Sequence, residues 1–594
     1  SLVGSEMCIR DRYIMACILA FSLAGCIDDE PSNNPITYGD GYITVLLSTD
    51  KAAYQPGEPV QLSLNNLPEE QVTIRYKHLN KVLSETPLTG KSWSWNPPTD
   101  DFKGYMVDLY TVENGEEVVL SSIAIDVSSD PARFPRNGFL SEYGKMSEKE
   151  INKVMDNLNR HHINYVQYQD WHYKHHKPLA GSPSAPMDVW KDIINRDCYR
   201  STVQGYIDAG HKRGMKSLFY NLAYGALSDA ADDGVKEAWY LFKDKKHGNK
   251  DYHPLGSPFK SNIYLTNPAL QEWRDYMAQQ NNDVYEVFDF DGYQIDQLGG
   301  RGELYDYNGN SVDLAATFPV FIKAMKEAQP KKSLVMNAVG QYGQENLIAN
   351  SPVDFLYTEV WEKPTDNGFS VLSNIITNND RWSNGKKTVL AAYMNYKLGG
   401  EGRGYFNTPG VLMANAAIHA WGGAHLELGE HMLTTEYFPN SSLAMKGELK
   451  KAMVTYYDFI TGYENLLRDG GEFYGVTASS TDGKMTVNQW PPVRNQIATI
   501  GKRFDRRDVI HFLNYTNAVH LDWCDSNGTQ VEPSLIEPVQ TKVSVKGAVR
   551  TVWAASPDAR FGVSQELDFV QEGNEIKVAL PSLKYWTMLV VEYE

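Results

Sequence analysis

The sequence predicts a multidomain protein in which a central (β/α)8 TIM barrel lies between an N-terminal immunoglobulin-like β-sandwich and a C-terminal antiparallel β-sandwich. Three observations carry that expectation. Residues 41–132 and 483–594 run in short segments that alternate apolar and polar positions between turn residues. Residues 133–482 alternate apolar strand-like runs with helical patterns instead. The length of 594 residues exceeds what one ordinary domain holds.

Residues 1–40 stand apart from any fold. Ser1 to about Arg12 looks like translated adaptor sequence, so the natural start is expected to differ. The apolar run from Met15 to Cys26 is too short for the roughly 20 residues that span a bilayer. Its ending, Leu23-Ala24-Gly25-Cys26, resembles a lipobox, in which small residues fit the signal peptidase and the cysteine thiol is acylated; a buried helix is the alternative. Ile27 to Asn34 reads as a polar tether. The expectation is an exported protein, lipid-anchored through Cys26 to the outer membrane or cell surface. Only Cys198 and Cys524 then remain in the body of the chain, with no disulfide framework and no zinc spacing.

The first sandwich is expected from Val60-Gln-Leu-Ser-Leu64, Val72-Thr-Ile-Arg-Tyr76 and Tyr105-Met-Val-Asp-Leu-Tyr110, punctuated by Pro56-Gly57 and Pro97-Pro98. In the barrel region eight strands are placed at 138–142, 165–170, 217–221, 292–296, 334–338, 355–361, 389–394 and 424–429. A capping serine, Ser147, opens the first helical pattern. Eight βα units fit a closed barrel better than an open doubly wound sheet, for which a Gly-rich phosphate loop is missing. One long loop, residues 223–266, carries Trp239, Tyr240, Phe242, Tyr252 and Tyr264 and is expected to wall a cleft. The last sandwich is expected from segments such as Val509-Ile-His-Phe-Leu-Asn-Tyr515 and Ile576-Lys-Val-Ala-Leu580, and no chemistry is assigned to it.

The formal charge is −18 and no basic cluster interrupts it, which disfavours nucleic acid as a partner. A neutral polymer meets no such repulsion. Aromatic residues make up 12% of the chain, and many fall beside Gly, Asn and Asp, where rings can serve as stacking surfaces as well as core.

In a barrel of this kind chemistry belongs at the carboxyl ends of the strands. Period-two alternation puts Gln294 and Asp296 on one face of the fourth strand and Tyr293 and Ile295 on the other, so Asp296 points inward at its top. Glu359 follows an apolar run at the exit of the sixth. Two carboxyls separated by one strand can face each other at the roughly 5–5.5 Å a retaining glycosidase uses, one as nucleophile and one as acid/base. The chain has 74 acidic residues, so spacing alone leaves a structural role open. Asp170, Trp171, Tyr173, His175 and His176 follow the second strand, where a carboxylate grips hydroxyls and a ring stacks; His175 and His176 fit a structural pair equally well. Tyr220, Asn221, Gln294, Asn337 and Glu427 lie at strand ends, to bond a substrate or to fill the barrel's upper layer. Adjacent histidines are not a ligand spacing, and neither metal nor cofactor is expected.

Seven segments in order then carry a family resemblance: Thr49 to Gly57, Arg133 to Leu140, Tyr168 to Pro178, Tyr220-Asn221-Leu-Ala-Tyr224, Gly292-Tyr-Gln-Ile-Asp296-Gln-Leu-Gly299, Tyr357-Thr-Glu359-Val-Trp361 and His425-Leu-Glu427-Leu-Gly-Glu430. Together they resemble glycoside hydrolase family 66 from about residue 45 onward. The resemblance implies an enzyme acting on α-1,6-glucan (dextran, isomaltooligosaccharides), with Asp296 as nucleophile and Glu359 as acid/base; Trp361, beside Glu359, is expected as a substrate-binding residue. It implies either an endo-dextranase or a cycloisomaltooligosaccharide glucanotransferase, and the lack of spare length for an inserted carbohydrate-binding module favours the first. Gln297 stands where Thr is expected and Gln169 where an aromatic is more usual. A non-catalytic surface glycan-binding lipoprotein is the remaining alternative, and a monomer is expected.

Overall fold

The computed structural model describes residues 44–363, 366 and 368–594; the expected lipobox at Cys26 and its tether lie outside them. Ahead of the barrel, two antiparallel sheets pack face to face. One pairs Leu47–Thr49, Val60–Leu64 and Ser92–Trp95, and the other orders Lys81–Pro87, Thr73–His78, Lys103–Glu113 and Glu116–Val127. In Val60–Leu64 the apolar residues are buried and Gln61 and Ser63 exposed. Period two therefore delivers Val60, Leu62 and Leu64 to one core with Leu47, Val107, Ile123 and Ile125.

Eight parallel strands follow: β1 (Asn137–Leu140), β2 (Tyr165–Tyr168), β3 (Lys216–Leu222), β4 (Gly292–Asp296), β5 (Ser333–Val339), β6 (Leu356–Val360), β7 (Thr388–Ala392) and β8 (Ala424–His425), each paired with the next in chain order. The circle closes between β1 and the chain beyond β8, where Phe139 N–H donates to Leu428 O at 3.0 Å. A Cβ at Gly138 would meet Leu428 O at 3.0 Å and Ile163 at 2.9 Å, so this closure requires glycine. Alternation along the strands feeds two cores. Phe139, Tyr165, Leu218, Val335, Phe355 and Val389 fill one cluster, whereas Val166, Phe219, Tyr293, Ile295 and Met336 join the large cluster formed with the surrounding helices.

Among the described residues the longer helices are α1 (Glu148–Arg160), α2 (Arg200–Lys212), α3 (Gln271–Val287), α4 (Leu314–Ala328), α5 (Ser370–Ser383), α6 (Thr408–Ala420) and α7 (Gly447–Gly462), with short ones at Tyr396–Glu401 and Glu464–Leu467. The start of α1 is a reciprocal cap: Ser147 Oγ accepts the Glu150 N–H at 3.3 Å and the Glu150 carboxylate accepts the Ser147 N–H at 2.7 Å. The fifth unit departs from the expected βα pattern. Between β5 and β6 the chain makes only a 3₁₀ turn, Ile348–Asn350. The cause is local, since Gly340, Gln341, Gly343 and Asn346 all adopt positive φ and break any helical run.

The long loop after β3 is also less open than expected. Trp239, Tyr240 and Phe242 are buried in the large core, and Tyr252, 42% exposed, is the ring that most faces solvent there. Beyond α7 the chain forms a second sandwich, of a seven-stranded and a four-stranded sheet, around Ile510, Phe512, Val543, Ile576 and Leu589. Cys198 and Cys524 are both free and buried.

Buried charges join the first sandwich to the barrel. Arg136, just ahead of β1, reaches Asp126 of the sandwich at 2.6 Å and Glu464 after α7 at 3.1 Å. Asp458 of α7 takes Arg160 of α1 at 2.7 Å, His162 at 2.7 Å and the Ala124 N–H of the sandwich at 3.0 Å. Burial opposes ionisation of Asp458, but Arg160 and His162 outweigh it and hold the carboxyl below its ordinary range. Removing one member of such a set strands the others without solvent. The Asp458→Ala variant is therefore expected to lose about 3–5 kcal/mol of stability, read as a lower urea midpoint; an unchanged midpoint would contradict this account of the junction.

Candidate active site

At the carboxyl end of the barrel the structure brings Asp296 and Glu359 together. β4 ends at Asp296 and β6 carries Glu359 one residue before its end, with β5 between them. Asn337 of β5 lies opposite Tyr357, and Val339 opposite Glu359, so the Asn337 side chain rises between the two acids. Its Nδ2 donates to Asp296 Oδ1 at 2.8 Å and to Glu359 Oε2 at 3.0 Å. The two acceptor oxygens can thus be no farther apart than those bonds laid end to end, about 5.8 Å. Asn337 Oδ1 in turn accepts the Glu359 N–H at 3.2 Å, which fixes the orientation of the amide.

Each acid has one further side-chain donor. Tyr220 OH of β3 donates to Asp296 Oδ2 at 2.7 Å, and Tyr393 OH, just past β7, donates to Glu359 Oε1 at 2.6 Å. Glu359 is only 9% exposed. Burial first, and the Asp296 charge second, push its carboxyl up to about 7, against the pull of Tyr393 and Asn337. Burial also raises Asp296, while Tyr220, Asn337 and the Gln297 N–H oppose the rise. The Asp296 charge thus favours the protonated form of Glu359, the state a general acid beside an anionic partner needs.

The other sequence-predicted residues separate into three groups. Gln294 is buried on β4, with its Oε1 lacking a hydrogen-bond partner, on the same face as Asp296. Asp170 is half-buried in a left-handed turn; burial drives its carboxyl up to about 7, with Arg196 opposing and Asp192 and Asp296 adding to the rise. Tyr173 lies under the Lys260 ammonium at 4.1 Å. Trp361 packs edge-on against Tyr393 at 5.3 Å and Tyr396 at 5.9 Å.

Trp171, expected as a stacking ring, is instead 0% exposed. The left-handed φ of Asp170 turns the chain, and the indole packs outside the barrel against Trp190, Phe219, Phe288 and Phe290. Its Nε1 donates to Tyr220 O at 3.3 Å, so it supports β3 and presents no face to a sugar.

His175, Asn221, His176 and Glu427 are likewise enclosed by protein. His175 Nδ1 meets Asn221 Oδ1 at 2.9 Å, Asn221 Nδ2 donates back to His175 O at 2.8 Å, and burial holds the imidazole down to about 4. His176 Nε2 meets Asp233 at 3.0 Å, an acid that Lys174 and Lys177 also hold. Glu427 accepts Asn415 at 3.0 Å and Tyr457 at 3.2 Å beside His425. These four hold loops and helices to the barrel. Tyr393 is the residue that sequence reasoning missed, although the rule that selects Asp296, a polar group at a strand exit, also selects it at the end of the seventh apolar run.

Two carboxyls bridged by one amide at the mouth of a (β/α)8 barrel are an arrangement able to carry glycosidase chemistry. The chain belongs to glycosyl hydrolase family 66, whose family model matches residues 49–590. It is similar to a cycloisomaltooligosaccharide glucanotransferase of Niallia circulans, 28% identical over 92% of this chain and 72% of that protein. It is also similar to a dextranase of Streptococcus salivarius, 22% identical over 82% of this chain and 67% of that protein. Among solved structures, a Paenibacillus cycloisomaltooligosaccharide glucanotransferase complexed with cycloisomaltoheptaose superposes with a TM-score of 0.83 at 26% identity, covering 92% of this chain and 99% of that one.

The proton on Glu359 gives a substrate-free test. Carbodiimide activates protonated carboxyls, so labelling of Glu359, read by peptide mass spectrometry, is expected to fall as pH rises through about 7. In Tyr393→Phe the carboxylate loses a donor and the fall moves to higher pH; a curve that does not move would remove Tyr393 from the site.

Proposed function

We propose that this protein is a retaining endo-dextranase that cleaves internal α-1,6-glucosidic bonds, with Asp296 as nucleophile and Glu359 as general acid/base. The observation that carries the reading is the Asn337 amide, which keeps an oxygen of each acid within about 5.8 Å of the other. That bound on one oxygen of each acid is compatible with the roughly 5–5.5 Å separation at which a retaining pair attacks directly.

In the first step an Asp296 oxygen attacks the anomeric carbon, the C–O bond to the leaving sugar breaks, and Glu359 delivers its proton to the departing oxygen. In the second, the Glu359 carboxylate takes a proton from water, the oxygen of that water attacks the same carbon, and the glycosyl ester breaks to restore Asp296. Tyr220 and Asn337 hold the Asp296 carboxylate before attack and suit the reduced charge of the ester afterwards.

Length favours hydrolysis over ring closure. The alignment with the Niallia glucanotransferase runs over 706 positions yet takes up only 92% of this 594-residue chain, so well over a hundred positions of that relative face no residue here. We read those positions as a further module that this chain lacks. The competing reading, transfer of the cleaved chain onto its own end, draws on the higher identity to the glucanotransferases than to the dextranase. Export with a lipid on Cys26 belongs to the same proposal, since dextran is a polymer met outside the cell, and metabolic palmitate labelling lost in Cys26→Ala tests it.

Incubation with dextran, starch and cellulose, with products sized and the first anomer read by proton NMR, tests the activity. Linear isomaltooligosaccharides released first as α-anomers are expected from dextran alone; cyclic products would establish the transferase, and β-anomers would end the retaining mechanism. Asp296→Asn and Glu359→Gln are each expected to lower kcat by roughly 10³-fold or more while dextran still binds.

A further inference from the structure

The second sandwich reaches the active site through one loop. Residues 522–530 lie between its strands Arg507–Asn514 and Val539–Ser544, and within them Trp523, Cys524 and Asp525 are each only 1% exposed. They are buried against the barrel beside the chain that leaves β7. There Tyr393, the donor to Glu359, is followed two residues later by Asn395 in a left-handed turn with φ 53°.

Every polar group of Asn395 is engaged at this junction. Its N–H donates to Cys524 O at 2.9 Å and its Nδ2 to Asp525 O at 2.6 Å, while its Oδ1 accepts the Asn407 N–H at 2.8 Å. Further along, Leu398 N–H donates to Ser526 O at 3.0 Å, and Ser526 Oγ donates to Glu362 Oε2 at 2.8 Å, next to Trp361. Asn407 caps α6 and also donates to Gly528 O and Gln530 O. The Asp525 carboxylate accepts the Thr529 N–H at 2.8 Å and lies so close to the first turn of α6 that a Cβ at Gly410 would stand 2.3 Å from it. The loop is therefore built to its seat, with a glycine left open for it.

We propose that residues 522–530 are positioning residues of the active site: by holding the turn at Asn395 and the Glu362 carboxylate, this loop of the second sandwich sets where Tyr393 meets Glu359 and where Trp361 and Tyr396 stand beside it. The inference rests on the hydrolase reading above. It makes the second sandwich part of the catalytic unit, although no residue of it touches the acids. Displacement of Tyr393 by a fraction of an ångström weakens its bond to Glu359, and misplacement near 1 Å from a remote change is enough to cost 10²-fold in rate.

Two variants leave the fold and both acids in place. Asn395→Gly tolerates the left-handed φ but removes both side-chain bonds, and Ser526→Ala removes the bond to Glu362. Asn395→Gly is expected to lower kcat on dextran roughly 10-fold with KM changed by less than about twofold. It also moves the alkaline limb of kcat upward, in the same direction as Tyr393→Phe. Ser526→Ala is expected to do the same to a smaller extent, with melting temperature kept in both. The groups facing Glu359 are Asp296 from β4, Asn337 from β5, Tyr357 on its own strand, Tyr393 after β7 and Glu436 after β8; of these the loop reaches Tyr393 through the turn at Asn395 and Glu436 through Tyr396, whose OH donates to Glu436 Oε1 at 2.9 Å. Unchanged kcat and an unmoved limb in both variants would overturn the proposal, as would a loss of activity that merely follows a loss of melting temperature. Carbodiimide labelling of Glu359 gives the same limb without substrate. If the wild-type enzyme left dextran intact, that labelling would still decide the positioning role while the hydrolase reading failed on its own.

Discussion

A single amide nitrogen governs the geometry of this site. Asn337 Nδ2 has two hydrogens and spends one on each acid, and its carbonyl is occupied by the backbone of the strand that carries Glu359. Two carboxylates enclosed side by side repel each other and lose hydration, so the pair is tolerable only with a donor between them and a proton on one. β5 is the spacer that provides this, and the register that sets Val339 opposite Glu359 decides the height at which the amide stands. The remaining side-chain donors are Tyr220 on β3 and Tyr393 just past β7, so four consecutive strands from β3 to β6 and the exit of β7 contribute to one cluster of hydrogen bonds.

That cluster needs its scaffold held still from outside. Behind β3 the indole of Trp171 packs edge to face with Phe219 and Phe288 and tilted against Phe290, and it pins the carbonyl of Tyr220. Such pairs add to the burial of their area and restrict rotation at the same time. Much of the aromatic wealth of the chain is spent in this way on rigidity. At the other end of the barrel, Asp458 and Arg136 tie the first sandwich to α1 and α7 through bonds that water cannot screen.

The fold was legible to the extent that it depends on local periodicity. Eight apolar runs in order became eight paired strands, and the alternation Tyr293, Gln294, Ile295, Asp296 assigned the inward face of β4 correctly, because side-chain direction in a strand follows from position alone. Legibility ended where conformation depends on a single backbone angle or on distant contacts. The left-handed φ of Asp170 sent Trp171 outward; the positive φ values from Gly340 to Asn346 removed a helix from the fifth unit; and His175, His176 and Glu427 found partners in Asn221, Asp233 and Asn415 that no spacing announces. Tyr393 was within reach of the strand-exit rule. Its support from residues 522–530, well over a hundred positions away in sequence, was not.

The missing fifth helix changes what kind of force keeps the barrel wall in order there. Beside the buried Ile348, Ala349 and Val353 of that segment, the side chain of Asn379 on α5 accepts from Gln341 at 3.0 Å and Gln344 at 3.2 Å and donates to Thr358 of β6 at 3.3 Å. Oily contact is non-directional and forgives a shift or a swap of similar volume, whereas an amide clamp holds angle as well as distance. The wall beside Asn337 therefore trades tolerance to sequence drift for resistance to twist, and natural variation in this sector should be confined to residues able to keep all three bonds.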